Sequence, residues 1–469
     1  MRNAGRSTWV LLATAVIALA AAVAGCGGGS SGGPVATPTP TRTPSTTTTP
    51  RGTPTPAPTP TSTPTATVLP NPFPIVTAIA PGANPAVGYG DGRYLTTFSL
   101  IDVHSRRDLF GVRLAPNGAA IDADPVLLSD LGGDSYLDPN QVSYGSGAIG
   151  FDGAAFGVFF HGVGTLRQVG PPGEIIGFTS VPTDGSPLQP ATEVDTQASF
   201  SMAQTSISSP TAATSDGTRF AVVYPRNFAL VGSFSLRQVD GAFVTVTGGS
   251  VEAQDSFVIA GAFSPPVEFV ANTGVAGVAS NGSETFAAWL QALQNVQAPT
   301  PPPPVTSLEA ALIAPDKVTP IHLSDATTNS GVTTVASDGV GFLIVWSEPT
   351  AASSTTLSQI RAIRYTPDTS GNDAVIASGG FVVASGATAK SLGGVAFAAG
   401  TYLVAWLEDG AIRGARIAED GTTPAPFTID TGPVSEFALT SDGERFLFVI
   451  EKPRGTRADL LGLFVDAND

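Results

Sequence analysis

The residues that could do chemistry in this 469-residue chain are nearly all carboxylates: 38 acids accompany 22 bases, three histidines and one cysteine, Cys26. Glu348 follows Trp346 by two residues, and Glu408 and Asp409 follow Trp406 by two and three. Asp134 and Asp138 form a further pair. Two carboxyl groups ~5–10 Å apart would suit glycoside hydrolysis, one protonating the leaving oxygen while the other attacks or activates water. These acids are the catalytic candidates, set against the plainer reading that they are solvated side chains of an acidic protein. His104, His161 and His322 lie at no metal-binding spacing from one another or from an acid, so neither metal nor cofactor is expected. Neither a Gly-x-Ser-x-Gly elbow nor a phosphate-cradling glycine loop is present.

A repeat must position these acids. One copy reads Ser337-Asp338-Gly339-Val340-Gly341-Phe342-Leu343-Ile344-Val345-Trp346. Its counterparts carry Asp91-Gly92, Asp152-Gly153, Asp216-Gly217, Asn281-Gly282, Ala399-Gly400 and Asp442-Gly443, seven copies spaced 43 to 65 residues apart. Asp-Gly between apolar runs is the strongest short-range hairpin signal, because both residues tolerate positive φ. The aspartate has the spacing of neither a calcium loop nor a glycosidase Asp-box, and reads as a turn device. Seven or eight residues past each turn come Phe98, Phe160, Tyr224, Trp289, Trp346 and Trp406, with Ile450 in the last copy. Four residues earlier sit Tyr94, Phe156, Phe220, Phe342, Tyr402 and Phe446, with Thr285 the exception. Residues i and i+4 of a strand share a face, so each hairpin sets two large groups on one buried surface.

A second signature follows. Gly111-Val112-Arg113-Leu114 leads to Gly118, Gly414-Ala415-Arg416-Ile417 to Gly421, and Ala362-Ile363-Arg364-Tyr365 to Thr369. Gly177 and Gly462 open the same pattern. In the third copy Ser233 or Phe234 stands in for the glycine, and in the fourth Leu312 for the arginine. This predicts a third strand and a second tight turn, then a short fourth strand such as Pro426–Ile429 or Pro125–Leu128. The arginines could ring an anionic ligand, but their repeat phase favours hydrogen bonds between units. Seven units of four antiparallel strands, apolar on both faces, describe an all-β, seven-bladed β-propeller. The hairpin and its Gly-x-Arg partner resemble the repeats of propellers in bacterial exported proteins, largely of unknown function. The resemblance covers about 85–469 and speaks to fold rather than activity.

The seventh unit stops where its second turn would be, and Phe73-Pro74-Ile75-Val76-Thr77 reads like a fourth strand. Residues 73–79 are therefore expected to pair with Leu460–Val465, completing the last blade and closing the ring. Every Asp-Gly turn falls on one face of such a ring. The long insertions, near 130–141, 196–209, 250–272, 291–307 and 349–358, fall on the other, as at the binding face of a repeat protein.

The chain divides into 1–25, 26–70 and 71–469. The first part has Arg2 and Arg6 ahead of an apolar run from Trp9 to Val23, the shape of a secretory signal and too short to span a bilayer. Val23-Ala24-Gly25-Cys26 resembles the lipobox of bacterial lipoproteins. The resemblance implies cleavage before Cys26 and acylation, by palmitate or a similar chain, of its sulfur and new amino group, enough for stable membrane anchoring. Residue Gly27, in place of the aspartate associated with inner-membrane retention, implies the outer membrane or cell surface. Residues 27–33 are Gly/Ser-rich and 34–70 alternate Pro and Thr, a disordered, polyproline-leaning tether reaching roughly 100 Å. It is either a bare spacer or an O-glycosylated stalk.

Residues 71–469 carry 38 acids against 18 bases, a net charge of −20, which argues against nucleic acid. With one cysteine no intramolecular disulfide forms. The expectation is a monomeric, envelope-anchored propeller that binds a protein or glycan without doing chemistry. The alternatives are a carbohydrate-active enzyme using the acids above and an envelope-assembly scaffold.

Overall fold

The computed structural model describes residues 72–468, except 102–106, 132–142, 166–171, 185, 187, 189, 199–203, 208–211, 231–233, 262, 265–267, 274–275, 296–304, 327–331, 351–355, 368–373, 419–420 and 422–424. Cys26, the tether, His104, Asp134 and Asp138 lie outside the described residues. The described chain forms a seven-bladed propeller of antiparallel blades on a four-stranded plan, spanning 86–127, 143–198, 204–260, 263–326, 333–385, 391–430 and 436–466, with interrupted or added edge strands bringing the third and fourth to six strands. The last takes Phe73–Ile79 as its outer strand.

Within each blade the chain runs from the ring axis outward, as hairpins joined by tight turns demand. Two turn types serve the seven Asp-Gly positions. Asp91-Gly92 and Ala399-Gly400 have positive φ at both residues, the two-residue hairpin turn that needs residues tolerant of that region. In the other five only the glycine is left-handed. There the Asp or Asn Oδ1 accepts two backbone N–H groups just beyond the glycine: Ala154 and Ala155, Thr218 and Arg219, Ser283 and Glu284, Val340 and Gly341, Glu444 and Arg445. The recurrent acid is thus a turn cap.

Seven hydrophobic clusters fill the seven blade-to-blade interfaces. The apolar runs are buried on both faces for this reason: all seven residues from Phe342 to Glu348 are buried. The repeated arginines reach sideways. Arg113 donates to the Pro182 carbonyl of the next blade at 3.1 Å and Arg416 to the Asp466 carbonyl at 2.6 Å. Arg364 instead pairs with the turn acid Asp338 of its own blade. They hydrogen-bond within and between blades, and do not ring a ligand.

Closure comes from Phe73–Ile79, which pairs with Ala458–Gly462, slightly earlier along the third strand than the sequence suggested. Phe73 stacks on Phe464 with centroids 5.5 Å apart, and its ring covers two glycines. A Cβ on Gly462 would lie 2.1 Å from that ring and one on Gly118 2.5 Å. Blades seven and one are also joined by the Tyr94 hydroxyl, which donates to Asp442 at 2.7 Å.

Blade three departs from the expected phase. Its third strand, Phe234–Thr247, runs to 14 residues, longer than the third strands of the other blades, while its second, Phe220–Leu230, matches those of blades two and four. Gly241, paired with Val223, takes the position of Gly111 and Gly414, which the sequence reading assigned to Ser233 or Phe234. The longer hairpin shifts the third-strand signature by about eight residues. Leu312 does occupy the arginine position of blade four, opposite Phe286.

Candidate functional site

Inner strands end at the Asp-Gly turns, so their first residues, and the last residues of every second strand, lie on the opposite, long-loop face. That face is uneven. In blades two, three and four the second strand continues to Thr165, Leu230 and Asn295. In blades five and six it stops at Glu348 and Glu408, two residues past the tryptophan. The difference is three or four residues, roughly 10–13 Å of strand.

Glu348 and Glu408 sit at corresponding positions on the low side. Residues i and i+2 of a strand share a face, so each meets the tryptophan before it. The Trp346 indole N–H donates to Glu348 at 3.1 Å and that of Trp406 to Glu408 at 3.2 Å. In blade four Trp289 donates to Gln291 in the same way at 3.2 Å. Glu348 is 4% exposed, and its other oxygen accepts from Arg361 at 3.3 Å. Glu408 also accepts from Thr388 at 2.6 Å and from Lys390 at 2.7 Å. Burial alone would raise the Glu408 carboxyl, but the hydrogen bonds from Lys390, Thr388 and Trp406 outweigh it and hold the pKa at about 2. Asp409 is exposed, with φ 54°, in the two-residue turn with Gly410. The structure therefore sets Glu348 and Glu408 in separate blades, each closing a tryptophan–cation contact, and uses Asp409 to turn the chain.

Blade three replaces the acid with Arg226, two residues past Tyr224. Arg226 bridges Asp195 of blade two and Asp240 of its own third strand. The Tyr224 hydroxyl donates to Asp195 at 2.6 Å. Burial and then the charge of Asp195 push the Tyr224 hydroxyl well above its ordinary value. Burial also raises Asp240, more than Arg226 lowers it. This network cements two blades.

The inner strands enclose an axial cavity of about 820 Å3. It is lined by their first halves and therefore lies toward the long-loop face. Small aliphatic side chains, among them Val87, Ile149, Ala213, Val278, Val335 and Leu439, line it, but its exposed surface is more polar than apolar. Among the described residues the polar side chains of the rim are Asn84, Ser391, Ser435 and Glu436, of blades one, six and seven. Glu436 accepts the Asn84 backbone N–H at 3.1 Å. Burial, then the charge of Glu451, push its carboxyl above the usual range, against the Asn84 N–H and Arg107. Glu451, 1% exposed, accepts the Gly82 and Ala83 N–H groups at 2.9 and 2.8 Å and the Ser435 hydroxyl at 3.1 Å. Sequence reasoning missed Glu436 and Glu451, whose partners lie more than 350 residues away.

Among the described residues no group of three His, Cys, Asp or Glu could hold a metal ion. His322 is half exposed and contacts Glu309 at 2.9 Å, which raises its pKa. His161 is largely buried, and burial lowers its pKa to about 4.

Compared with protein-family models and with curated proteins, the chain matches none. Among solved structures it is similar to a Hadza microbial sialidase, at 12% identity and TM-score 0.42 over 80% of this chain and 76% of that one. A Penicillium chrysogenum alpha-L-arabinanase shares 11% identity at TM-score 0.40, over 85% and 99%. A Trypanosoma rangeli sialidase shares 9% at TM-score 0.38, over 82% of this chain but 55% of its own. Identities and TM-scores this small assign the chain neither a substrate nor a reaction.

Proposed function

We propose that this protein is a binding module of the bacterial cell envelope, lipid-anchored at Cys26, which recognises a protein or polysaccharide through its long-loop face without doing chemistry. The observation that carries this reading is the path of the chain. Phe73 lies against Gly118, in the turn between the third and outer strands of blade one, on the tight-turn face. The described chain thus begins at Pro72 on the side opposite the axial cavity, so the point of attachment is not on the face that carries the cavity and the three tall hairpins. The occupied states of Glu348 and Glu408 support binding over catalysis, since a proton donor must be free to meet its substrate.

The test is in-cell photocrosslinking, followed by pull-down and mass spectrometry, from one position on each face. Arg454, 73% exposed by the second-to-third-strand turn of blade seven, reports on the long-loop face. Glu444, in an Asp-Gly turn, reports on the other. Capture from Arg454 and not from Glu444 supports the reading, and the reverse removes it. A hydrolytic second reading draws on one observation, the raised Glu436 carboxyl beside Glu451. Glycan cleavage by the full chain that Glu436→Gln abolishes would favour it.

A further inference from the structure

We propose that the axial cavity is a binding site for an organic cation, with one positive nitrogen seated against Glu436 and an apolar body filling the space below. The inference rests on the reading of the long-loop face as the binding face and names the chemistry that face would select. At about 820 Å3 the cavity falls within the ~300–1,000 Å3 of small-ligand sites; aliphatic side chains line it, but its exposed surface is more polar than apolar. Among the described residues its lining contains one charged group, Glu436. The corresponding rim positions, just before the inner strands of blades one, five and six, hold Asn84, Val332 and Ser391. Free edges of inner strands offer N–H and C=O groups in alternation and favour neither sign. The charge preference of the cavity is therefore that of Glu436.

The neighbours of Glu436 sharpen this. Glu451, on the second strand of the same blade, is consumed by Gly82, Ala83 and Ser435 and is closed to solvent. Arg107, on the third strand of blade one, is held by the Gly82 carbonyl. Glu436 makes one backbone contact and faces the cavity, half-buried, with a second carboxylate behind it. A cation arriving in front offsets both the loss of water and the repulsion from Glu451. An anion would add a third negative charge. The same chemistry is presented by a free amine or by a lysine at the tip of a partner's loop.

The test uses the full chain and three probes of one shape: adamantylammonium, adamantanol and adamantanecarboxylate, titrated calorimetrically at neutral pH. A charge-assisted hydrogen bond predicts about tenfold tighter binding of the ammonium than of the alcohol, with the carboxylate weakest. Glu436→Gln should erase the ammonium's advantage while the alcohol still binds, which also shows that the variant is folded. Val335→Trp, which fills the cavity, should weaken all probes together. Acidification that protonates Glu436 should weaken the ammonium alone, and only with Glu436 present. A cyclic peptide displaying one lysine separates the sources: tighter binding than the free amine assigns a partner's loop, and weaker binding a small molecule. Equal binding of the three probes, no binding of any, or an ammonium preference that survives Glu436→Gln overturns the proposal. A crosslinked partner on the long-loop face that Glu436→Gln leaves in place would remove only the cation and keep the binding reading.

Discussion

Docking of the Phe73 ring onto Gly462 makes ring closure measurable as a coupling between residues at opposite ends of the chain. Phe73 is half-buried, so Phe73→Ala should cost about 2 kcal/mol, below the ~3–5 kcal/mol of a fully buried phenylalanine. Gly462→Ala puts a Cβ 2.1 Å from the same ring, which Phe464 backs on one side and Gly118 approaches closely. The ring must lift, at an overpacking cost of about 2 kcal/mol. Once Phe73 is alanine that cost disappears, and the loss of glycine's unfolded-state freedom leaves the second change neutral or favourable by about 0.5 kcal/mol. The double variant should therefore be no less stable than Phe73→Ala, a coupling of about 2 kcal/mol. Urea unfolding of the four proteins, followed by the fluorescence of Trp289, Trp346 and Trp406, measures it. Additive costs would mean that residues 73–79 do not dock on Ala458–Gly462 in solution. Deleting 71–80 is the blunter form of the test. It strips the half-covered Phe73, Ile75 and Val76 and the buried Ile79 from the closing cluster, about 5 kcal/mol at roughly one for each of the first three and two for Ile79, a large part of a typical ~5–15 kcal/mol.

The turn acids should differ in weight although they look alike in sequence. Asp152→Ala loses two backbone hydrogen bonds and should cost about 1–2 kcal/mol, whereas Asp338→Ala also removes a largely buried ion pair with Arg364 and should cost about 3 kcal/mol in the same unfolding assay. Acid should destabilise the fold through His161. Its folded pKa of about 4 lies below the ordinary 6.5, so the unfolded chain binds the proton first, and stability falls as pH drops from 6.5 to 4 by up to about 3 kcal/mol. Glu408, depressed to about 2, does not begin to lose its contribution until pH falls below about 4.5, and loses it fully only below 2; Glu436 and Asp240, both raised, act with the opposite sign. Comparison with His161→Gln isolates the histidine, and identical pH–stability curves for the two proteins would contradict its burial as a neutral ring.

Turn chemistry carried most of what the sequence disclosed. Such a pair fixes where a hairpin reverses, so five Asp-Gly pairs with Asn281-Gly282 and Ala399-Gly400 set the phase of the seven blades, and that phase sets which face holds these turns. Closure by 73–79 was legible because an antiparallel ring needs its last edge covered. The third strand of blade three was misphased because the length of a hairpin is written in no local signal, and only pairing with Val223 identifies Gly241. The Trp-x-Glu contacts were available in the sequence, since Trp289, Trp346 and Trp406 are each followed two residues on by Gln or Glu. Read as free acids, Glu348 and Glu408 looked like catalytic candidates. The indole N–H aimed along the strand gives them a structural partner instead.

Residues that recur are explained by the recurrence: the turn aspartates cap turns, the strand-three arginines bond within and between blades, and the acids after tryptophan satisfy indoles. Each is held by contacts within or between blades, so none is left to meet a ligand. A ligand requires a place where the ring is uneven. Two features break the sevenfold pattern on the long-loop face. The second strands of blades two to four run past their counterparts, and Glu436 stands where other blades have Asn84, Val332 or Ser391. They lie on different arcs of one rim, so a bound molecule would meet a raised wall over blades two to four and a charge at blade seven. Glu436 also takes its hydrogen bond from Asn84, in the segment that leads from the closing strand into blade one. Glu436, the charge facing the cavity among the described residues, is therefore held by the same stretch of chain that shuts the ring, and a ring opened by loss of residues 71–80 should lose that charge's position together with its stability.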